Sequence, residues 1–208
     1  MRILQVLAKK YPAKGMTDLG TAEDTLLATL MSAQTTDVQV LKVYPEFRKK
    51  FRDWKALANA DASEIAEVIN SIGLYNTKAK NIKLLAQKIL VEFRGEVPKT
   101  MEELVSLPGV GRKTASVVLA FCFGVPAIAV DTHVFRIARR LGWSKGNTPE
   151  KVEQDLLSLI PKKEWIIVNK TLVQFGREIC VGGKAPKCWK CPVAKECPFR
   201  PKTPAPKG

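Results

Sequence analysis

Hydrophobic side chains recur at the three- and four-residue spacing of α-helices along most of the chain, and no alternating run is long enough to predict a sheet. The clearest case is Ala79 to Phe93, where seven apolar residues mark one face of a long helix that ends near Gly95. We expect further helices at about residues 21–31, 37–51, 61–69, 102–107, 112–123, 132–141, 148–159 and 163–180. The pattern predicts an all-α protein.

Short local signals mark where several of these helices begin. Thr21 and Thr100 each stand three residues before a carboxylate, at Asp24 and Glu103, as in a capping box. Pro149 suits the first turn of its helix. Beyond the last cysteine, residues 198–208 are rich in Pro and Lys and have little to bury, so we expect a flexible basic tail.

The composition is that of a globular protein. With 208 residues, 46% of them hydrophobic, the chain can form the core of one ordinary domain or two small ones. The N-terminal stretch lacks the pattern of a signal peptide, and the longest uncharged run, Thr114 to Val130, is shorter than the roughly 20 residues that a bilayer requires. We therefore expect an intracellular protein with no membrane partner, located in the cytoplasm or nucleoid if the source is prokaryotic. We also expect a monomer.

A strong positive charge indicates a polyanionic partner. Lys and Arg number 34 against 20 Asp and Glu, which gives a net charge of +14. Residues 1–104 contain 16 basic and 13 acidic side chains, whereas residues 105–208 contain 18 and seven. We expect the second half to make most of the contacts with the polyanion.

A glycine-containing turn between two predicted helices is a candidate phosphate site. In the segment from Leu107 to Lys113, Gly109 and Gly111 can adopt positive φ and leave backbone N–H groups unblocked. These donors, the N-terminus of the next helix and the neighbouring Arg112 would suit a phosphate. The alternative is an ordinary interhelical turn.

Four of the five cysteines lie within 18 positions, which favours a metal site over a disulfide framework. Seven, two and five residues separate Cys180, Cys188, Cys191 and Cys197, and this spacing leaves both zinc and an iron-sulfur cluster open. Cys122 stands alone in an apolar helix, where we expect an inert core thiol.

Five motifs follow one another along the chain: MSAQTTDV (31–38), IGLYNTKAKNI (72–82), LPGVGRKTASVV (107–118), VDTHV (130–134) and the terminal cysteines. Together, and in this order, they resemble the endonuclease III family of the helix-hairpin-helix DNA glycosylase superfamily. The resemblance covers nearly the whole chain. It implies two helical lobes with DNA between them: a barrel domain at 18–125 with the hairpin at about 101–123, and an iron-sulfur domain made of 1–17 and 126–197.

The resemblance implies that Lys113 is a nucleophile and Asp131 its carboxylate partner. A neutral amine can attack the sugar C1′ and form a Schiff base, so we expect Lys113 to be partly buried at its helix N-terminus. Asp131 would accept protons and stabilise positive charge on the sugar. The alternatives are a phosphate contact for Lys113 and a helix N-cap for Asp131, which is compatible with the catalytic role.

The resemblance also implies side chains that bind and open the duplex. Gln34 and Leu74 would fill the gap left by a flipped nucleotide, and His133 would contact the same region. Alternatively, Leu74 is a core anchor, Gln34 closes a helix, and His133 lies on a helix surface. For the four cysteines the resemblance implies a [4Fe-4S] cluster, although the first gap is seven residues and the family's usual gap is six. Lys184, Lys187 and Lys190 would present charge to phosphate, or form a solvated basic loop.

The implied activity is that of a bifunctional DNA glycosylase and abasic-site lyase of base excision repair, which excises oxidised pyrimidines from double-stranded DNA. The alternative within the superfamily is a monofunctional mismatch or other-lesion glycosylase. Adenine-mismatch glycosylases, which this chain resembles in fold and cluster, lack a lysine at the position of Lys113. A non-catalytic helix-hairpin-helix module with a structural metal would explain the charge, the glycines and the cysteines. It would not require both Lys113 and Asp131. A small iron-sulfur electron carrier would explain only the last thirty or so residues.

Overall fold

The computed structural model describes residues 2–11, 20–183 and 185–206, and the described residues contain helices and no strands. The prediction of an all-α protein is therefore confirmed. The α-helices are α1 (Arg2–Lys10), α2 (Ala22–Met31), α3 (Asp37–Lys50), α4 (Trp54–Asn59), α5 (Ala62–Val68), α6 (Tyr75–Glu92), α7 (Met101–Val105), α8 (Arg112–Cys122), α9 (Thr132–Arg140), α10 (Pro149–Leu159) and α11 (Trp165–Glu178). None of these described helices is both long and apolar enough to cross a bilayer.

The chain divides into two compact units. One consists of Gly15–Phe123 and the other of Met1–Lys14 together with Gly124–Gly208. We call them the hairpin unit and the cysteine unit, after the sequence features that each contains.

The hairpin unit is built around α6, which packs against α4, α5 and α2, while α2 also packs against α8. Every residue of α2 from Thr25 to Met31 is buried, because this helix is covered on several sides. The hydrophobic pattern did not predict α4. Its six residues bury only Trp54 and Leu57, which is too short a pattern to show a helical period.

The cysteine unit packs α11 against α9 and α1, and α10 against α9. Leu4, Leu7, Val134 and Phe175 belong to its core. The last long helix was predicted to start at Lys163, but residues Lys162–Glu164 form a 3₁₀ turn and α11 starts at Trp165. The Trp165 indole N–H donates to the Ile160 carbonyl at 2.7 Å, which anchors this turn.

The predicted caps at Thr21 and Thr100 are confirmed, because each threonine hydroxyl accepts a backbone hydrogen bond from the residue three positions later. The Thr21 hydroxyl accepts from the Asp24 backbone N–H at 3.0 Å, and Thr100 accepts from the Glu103 N–H at 3.2 Å. In both pairs the carboxylate accepts from the threonine hydroxyl itself. These bonds satisfy backbone donors that a helix N-terminus leaves open.

The segment after Cys197 begins with defined contacts. The Arg140 guanidinium carbon lies 4.8 Å from the Phe199 ring centroid, and Lys202 Nζ donates to the Cys197 carbonyl at 2.7 Å. Phe199 and Lys202, two residues of the tail expected at 198–208, therefore have defined contacts. Its last two residues, 207–208, lie outside the described residues.

Candidate functional site

The hairpin between α7 and α8 requires glycine at position 109 but not at position 111. Gly109 has φ +76°, and a Cβ there would lie 2.8 Å from Asn81 Nδ2 on α6. Gly111 could also adopt positive φ, but it has φ −90° and an added Cβ would meet nothing within 4 Å. The physical reason is that Gly111 is the N-cap of α8, which takes extended backbone. As glycine it supplies no capping side chain.

Arg112 and Lys113 are the first two residues of α8, and both are exposed. The partial burial expected for Lys113 is therefore not observed. Because the N-cap has no capping side chain and the first turn projects to the surface, this helix end can receive an anion beside two basic side chains.

Asp131 is the N-cap of α9. Its carboxylate accepts from the Val134 backbone N–H at 2.8 Å, and the side chain is half-buried. The capping interpretation is confirmed, and the bond holds the carboxylate in a defined orientation at the start of the helix.

His133 lies two residues later and is half-buried against α11. Its Nδ1 is 3.2 Å from a guanidinium nitrogen of Arg136. A Cβ added to Gly176 would lie 2.6 Å from this Nδ1, so the imidazole packs closely against α11. Arg136 also donates Nε to the Cys180 carbonyl at 3.0 Å. Sequence reasoning missed Arg136, because its partners in and after α11 follow it by about 40 residues and a basic residue on an amphipathic helix suggests only a solvated face.

Gln34 and Leu74 occupy neighbouring loops of the hairpin unit. Both residues are exposed, Leu74 to 56%, so the interpretation of Leu74 as a core anchor is wrong. Both also have left-handed backbone, with φ 55° and 58°. The Gly73 N–H donates to Thr35 Oγ1 at 3.0 Å, which joins the two loops.

Cys180, Cys188, Cys191 and Cys197 line one cavity, together with Arg140 and Phe175. All five cysteines of the chain are free thiols. Arg140 donates to Cys180 Sγ at 3.3 Å, and the Cys197 thiol donates to the Arg140 carbonyl at 3.4 Å. In the described part of the chain, no three Cys, His, Asp or Glu side chains are grouped closely enough to share one metal ion.

The structure describes two of the three lysines that were predicted near this cavity. Lys187 and Lys190 are exposed on either side of Cys188, whereas Lys184 lies outside the described residues. Cys122 belongs to the hairpin unit and is half-buried at the end of α8, where burial raises the pKa of its thiol.

Comparison with known proteins identifies the class. The family model for the HhH-GPD superfamily base excision DNA repair protein matches residues 27–162, a range that includes the hairpin and Asp131. The fold and the hairpin therefore define a helix-hairpin-helix protein of this superfamily.

Closer relatives narrow the family. The chain is 46% identical over 198 residues to endonuclease III of Synechocystis sp., an alignment that covers 94% of this chain and 90% of the relative. It is 42% identical to endonuclease III of Bacillus subtilis, with 83% and 78% covered. A solved structure of a trapped endonuclease III–DNA covalent intermediate matches with a TM-score of 0.90 and 40% identity, over 95% of this chain and 93% of that one. The chain belongs to the endonuclease III family.

Proposed function

We propose that this protein is a bifunctional DNA glycosylase and abasic-site lyase of base excision repair that acts on damaged double-stranded DNA. The observation that carries the proposal is Lys113, an exposed amine in the first turn of the second hairpin helix. The relative whose structure was solved as a covalent enzyme–DNA intermediate matches nearly the whole chain, which supports a nucleophile of this kind.

The reaction follows from the two proposed catalytic groups. Lys113 Nζ attacks the sugar C1′ as the neutral amine, and the damaged base leaves with the electron pair of the glycosidic bond. The attached amine loses a proton, which the departing base takes up, and the C1′–O4′ bond of the sugar opens as the C1′=N bond of the Schiff base forms. The Asp131 carboxylate stabilises the positive charge that develops on the sugar. Loss of a C2′ proton then expels the 3′ phosphate by β-elimination, and water releases the lysine.

The proposed reaction requires water to be kept away from the nucleophile. Lys113 is exposed, so the exclusion of water around its amine has to come from the bound duplex. Asp131 needs no such change, because its bond to the Val134 N–H already orients the carboxylate.

The remaining predicted residues would hold and open the duplex. Gly109, Gly111 and Arg112 would receive a phosphate at the start of α8, since this helix end has no capping side chain. Exposed Gln34 and Leu74 would occupy the gap left by the flipped nucleotide, with His133 in the same region. Lys184, Lys187 and Lys190 would contact phosphates further along, and the substrates would be oxidised pyrimidines.

We further propose that the four cysteines lining the cavity hold a [4Fe-4S] cluster. The donor set fits, because four thiolates each bind a different iron of such a cluster. A single zinc ion would need all four sulfurs about 2.3 Å from one atom, and no such close group is present among the described residues. When bound, the cluster would cross-link the 180–197 loop. Iron and acid-labile sulfide analysis tests the assignment, and stoichiometric zinc in native protein would overturn it.

Borohydride trapping on a duplex with an abasic site tests the proposed activity. Wild type is expected to nick the strand and form a covalent product, whereas Lys113→Ala should lose trapping and retain binding. Lys55→Ala, which removes an exposed lysine on α4, should behave as wild type.

The other outcomes identify the alternatives. Release of a base with no nick and no trapped product would indicate a monofunctional glycosylase. Binding with neither reaction would indicate a non-catalytic module. Trapping by Lys113→Ala at the level of wild type would reject Lys113 as the nucleophile.

A further inference from the structure

Lys78 is a buried lysine on α6 that the proposed reaction does not use. Its side chain is only 4% exposed, although lysine is almost never fully buried without hydrogen-bonding partners. Its ammonium donates to the Met31 carbonyl at 2.7 Å and to Thr35 Oγ1 at 3.0 Å. Both acceptors are uncharged, and burial lowers the pKa of the Lys78 ammonium.

The two acceptors belong to the loop that carries Gln34. Met31 is the last residue of α2, and Thr35 follows Gln34 directly. The Thr35 hydroxyl oxygen also accepts from the Gly73 backbone N–H, at 3.0 Å, and Gly73 directly precedes Leu74. One ammonium and one hydroxyl therefore connect the end of α2, the Gln34 loop and the turn before α6.

Both loops need such a connection because their backbone is strained. Gln34 and Leu74 have φ of 55° and 58°, in the left-handed region that residues with a Cβ rarely adopt. Residues persist in this region when the surrounding structure holds them there. The loops also approach closely, since a Cβ on Gly73 would lie 3.1 Å from the Gln34 carbonyl oxygen.

We propose that Lys78 is a positioning residue that holds the Gln34 and Leu74 loops together in the arrangement that opens the duplex. The inference rests on the proposed function, in which these two exposed side chains fill the gap. An apolar residue could fill the same interior space on α6 but could not bond to Met31 and Thr35. Burial of the Lys78 ammonium costs desolvation free energy. The protein retains this buried charge because it joins the two loops.

The test compares two abasic substrates. One is a duplex with a single abasic site, and the other is the same abasic strand without its complement, which requires no gap to be filled. Lys78→Met should slow nicking of the duplex by about 10- to 100-fold while cleavage of the single strand stays close to that of wild type. Lys80→Met, on an exposed position of the same helix, is the matched control and should be normal on both.

A second readout reports the loops directly. In an uncleaving Lys113→Ala background, 2-aminopurine placed opposite the abasic site should brighten on binding, because the inserted side chains unstack it. Adding Lys78→Met should remove most of this increase. Thr35→Val keeps the side-chain shape and removes the shared hydroxyl, so it should show the same selective defect and decides the matter if Lys78→Met does not fold.

The outcomes separate this inference from the proposed function. Equal losses on both substrates, with a lowered melting temperature, would mean that Lys78 only stabilises the fold. Unchanged duplex activity in both Lys78→Met and Thr35→Val would also overturn the inference. Failure of wild type to nick or trap either substrate would instead reject the proposed function.

Discussion

His133 is the single histidine of the chain, and the charged groups around it determine its protonation. Burial lowers the pKa of its imidazole below the usual 6.5, and the nearby Arg136 and Arg177 lower it further, whereas Asp131 raises it. A backbone hydrogen bond to Gly176 also raises the pKa, but burial is the largest cause and the net change in the pKa is downward.

We expect the titration of the His133 imidazole to show this lowered pKa. Its midpoint in the folded protein should lie below 6.5, and NMR can measure it without ambiguity because there is one histidine. The unfolded chain binds a proton at higher pH than the folded chain. The stability that this group contributes is therefore present above 6.5 and is lost as the pH falls through the folded pKa.

His133→Asn is the control for the pH dependence. Urea unfolding of this variant should show a weaker loss of stability below pH 6.5 than wild type does. A measured midpoint at or above 6.5 would contradict the burial on which the prediction depends.

The start of α9 shows how one side chain can serve a helix and a reaction. Asp131 caps the helix by accepting the Val134 N–H, and the same carboxylate is the proposed partner of the nucleophile. The two roles depend on different properties, since capping needs an oxygen acceptor and the reaction needs a negative charge.

Two substitutions at this position should separate the roles. Asp131→Asn keeps an acceptor, so the free energy of unfolding should change by less than about 0.5 kcal/mol, because Asn and Asp are similar N-caps. Asp131→Ala should lower it by about 1 kcal/mol. Both should reduce nicking of abasic DNA by about 100-fold or more, as expected for loss of a stabilising charge. Full activity in Asp131→Asn would remove the carboxylate from the mechanism.

Helices were predictable where their signals are local. Thr21 and Thr100 form their caps within one turn of chain, and α6 shows its apolar face over 18 residues. The six-residue helix α4 was missed because it is too short to show a period. The backbone conformation of Gly111 could not be predicted, because the sequence does not show whether a glycine forms the turn or the N-cap beside it.

Over the whole molecule, the positive charge is concentrated in one unit. The cysteine unit contains 20 basic and seven acidic residues, whereas the hairpin unit contains 14 and 13. Almost all of the +14 therefore belongs to the cysteine unit, which is a sharper division than that between the two halves of the sequence. The nearly neutral hairpin unit contains Lys113 and the loops proposed to open the duplex. This division predicts that the salt-dependent part of DNA affinity depends mainly on the cysteine unit.

The salt dependence of binding tests this division. Lys187→Ala and Lys190→Ala should each reduce the slope of log K against log salt by about 0.9 if the lysine contacts a phosphate. Lys42→Ala, which removes an exposed lysine of the hairpin unit, should leave the slope nearly unchanged. Unchanged slopes for both cysteine-unit variants would show that these lysines are a solvated loop.

Local sequence was enough to establish most of the helices, two of their caps, the concentration of charge and the order of motifs that indicates the family, because each of these depends on residues near one another in the chain. Tertiary structure alone revealed the contact of Arg136 with Cys180 and the bond of Lys78 to Met31, which join residues 44 and 47 positions apart. It also revealed the exposure of Lys113 and Leu74 and the single cavity that the four cysteines line. Residue spacing does not specify which distant segments meet, and packing between helices decides which side chains are covered.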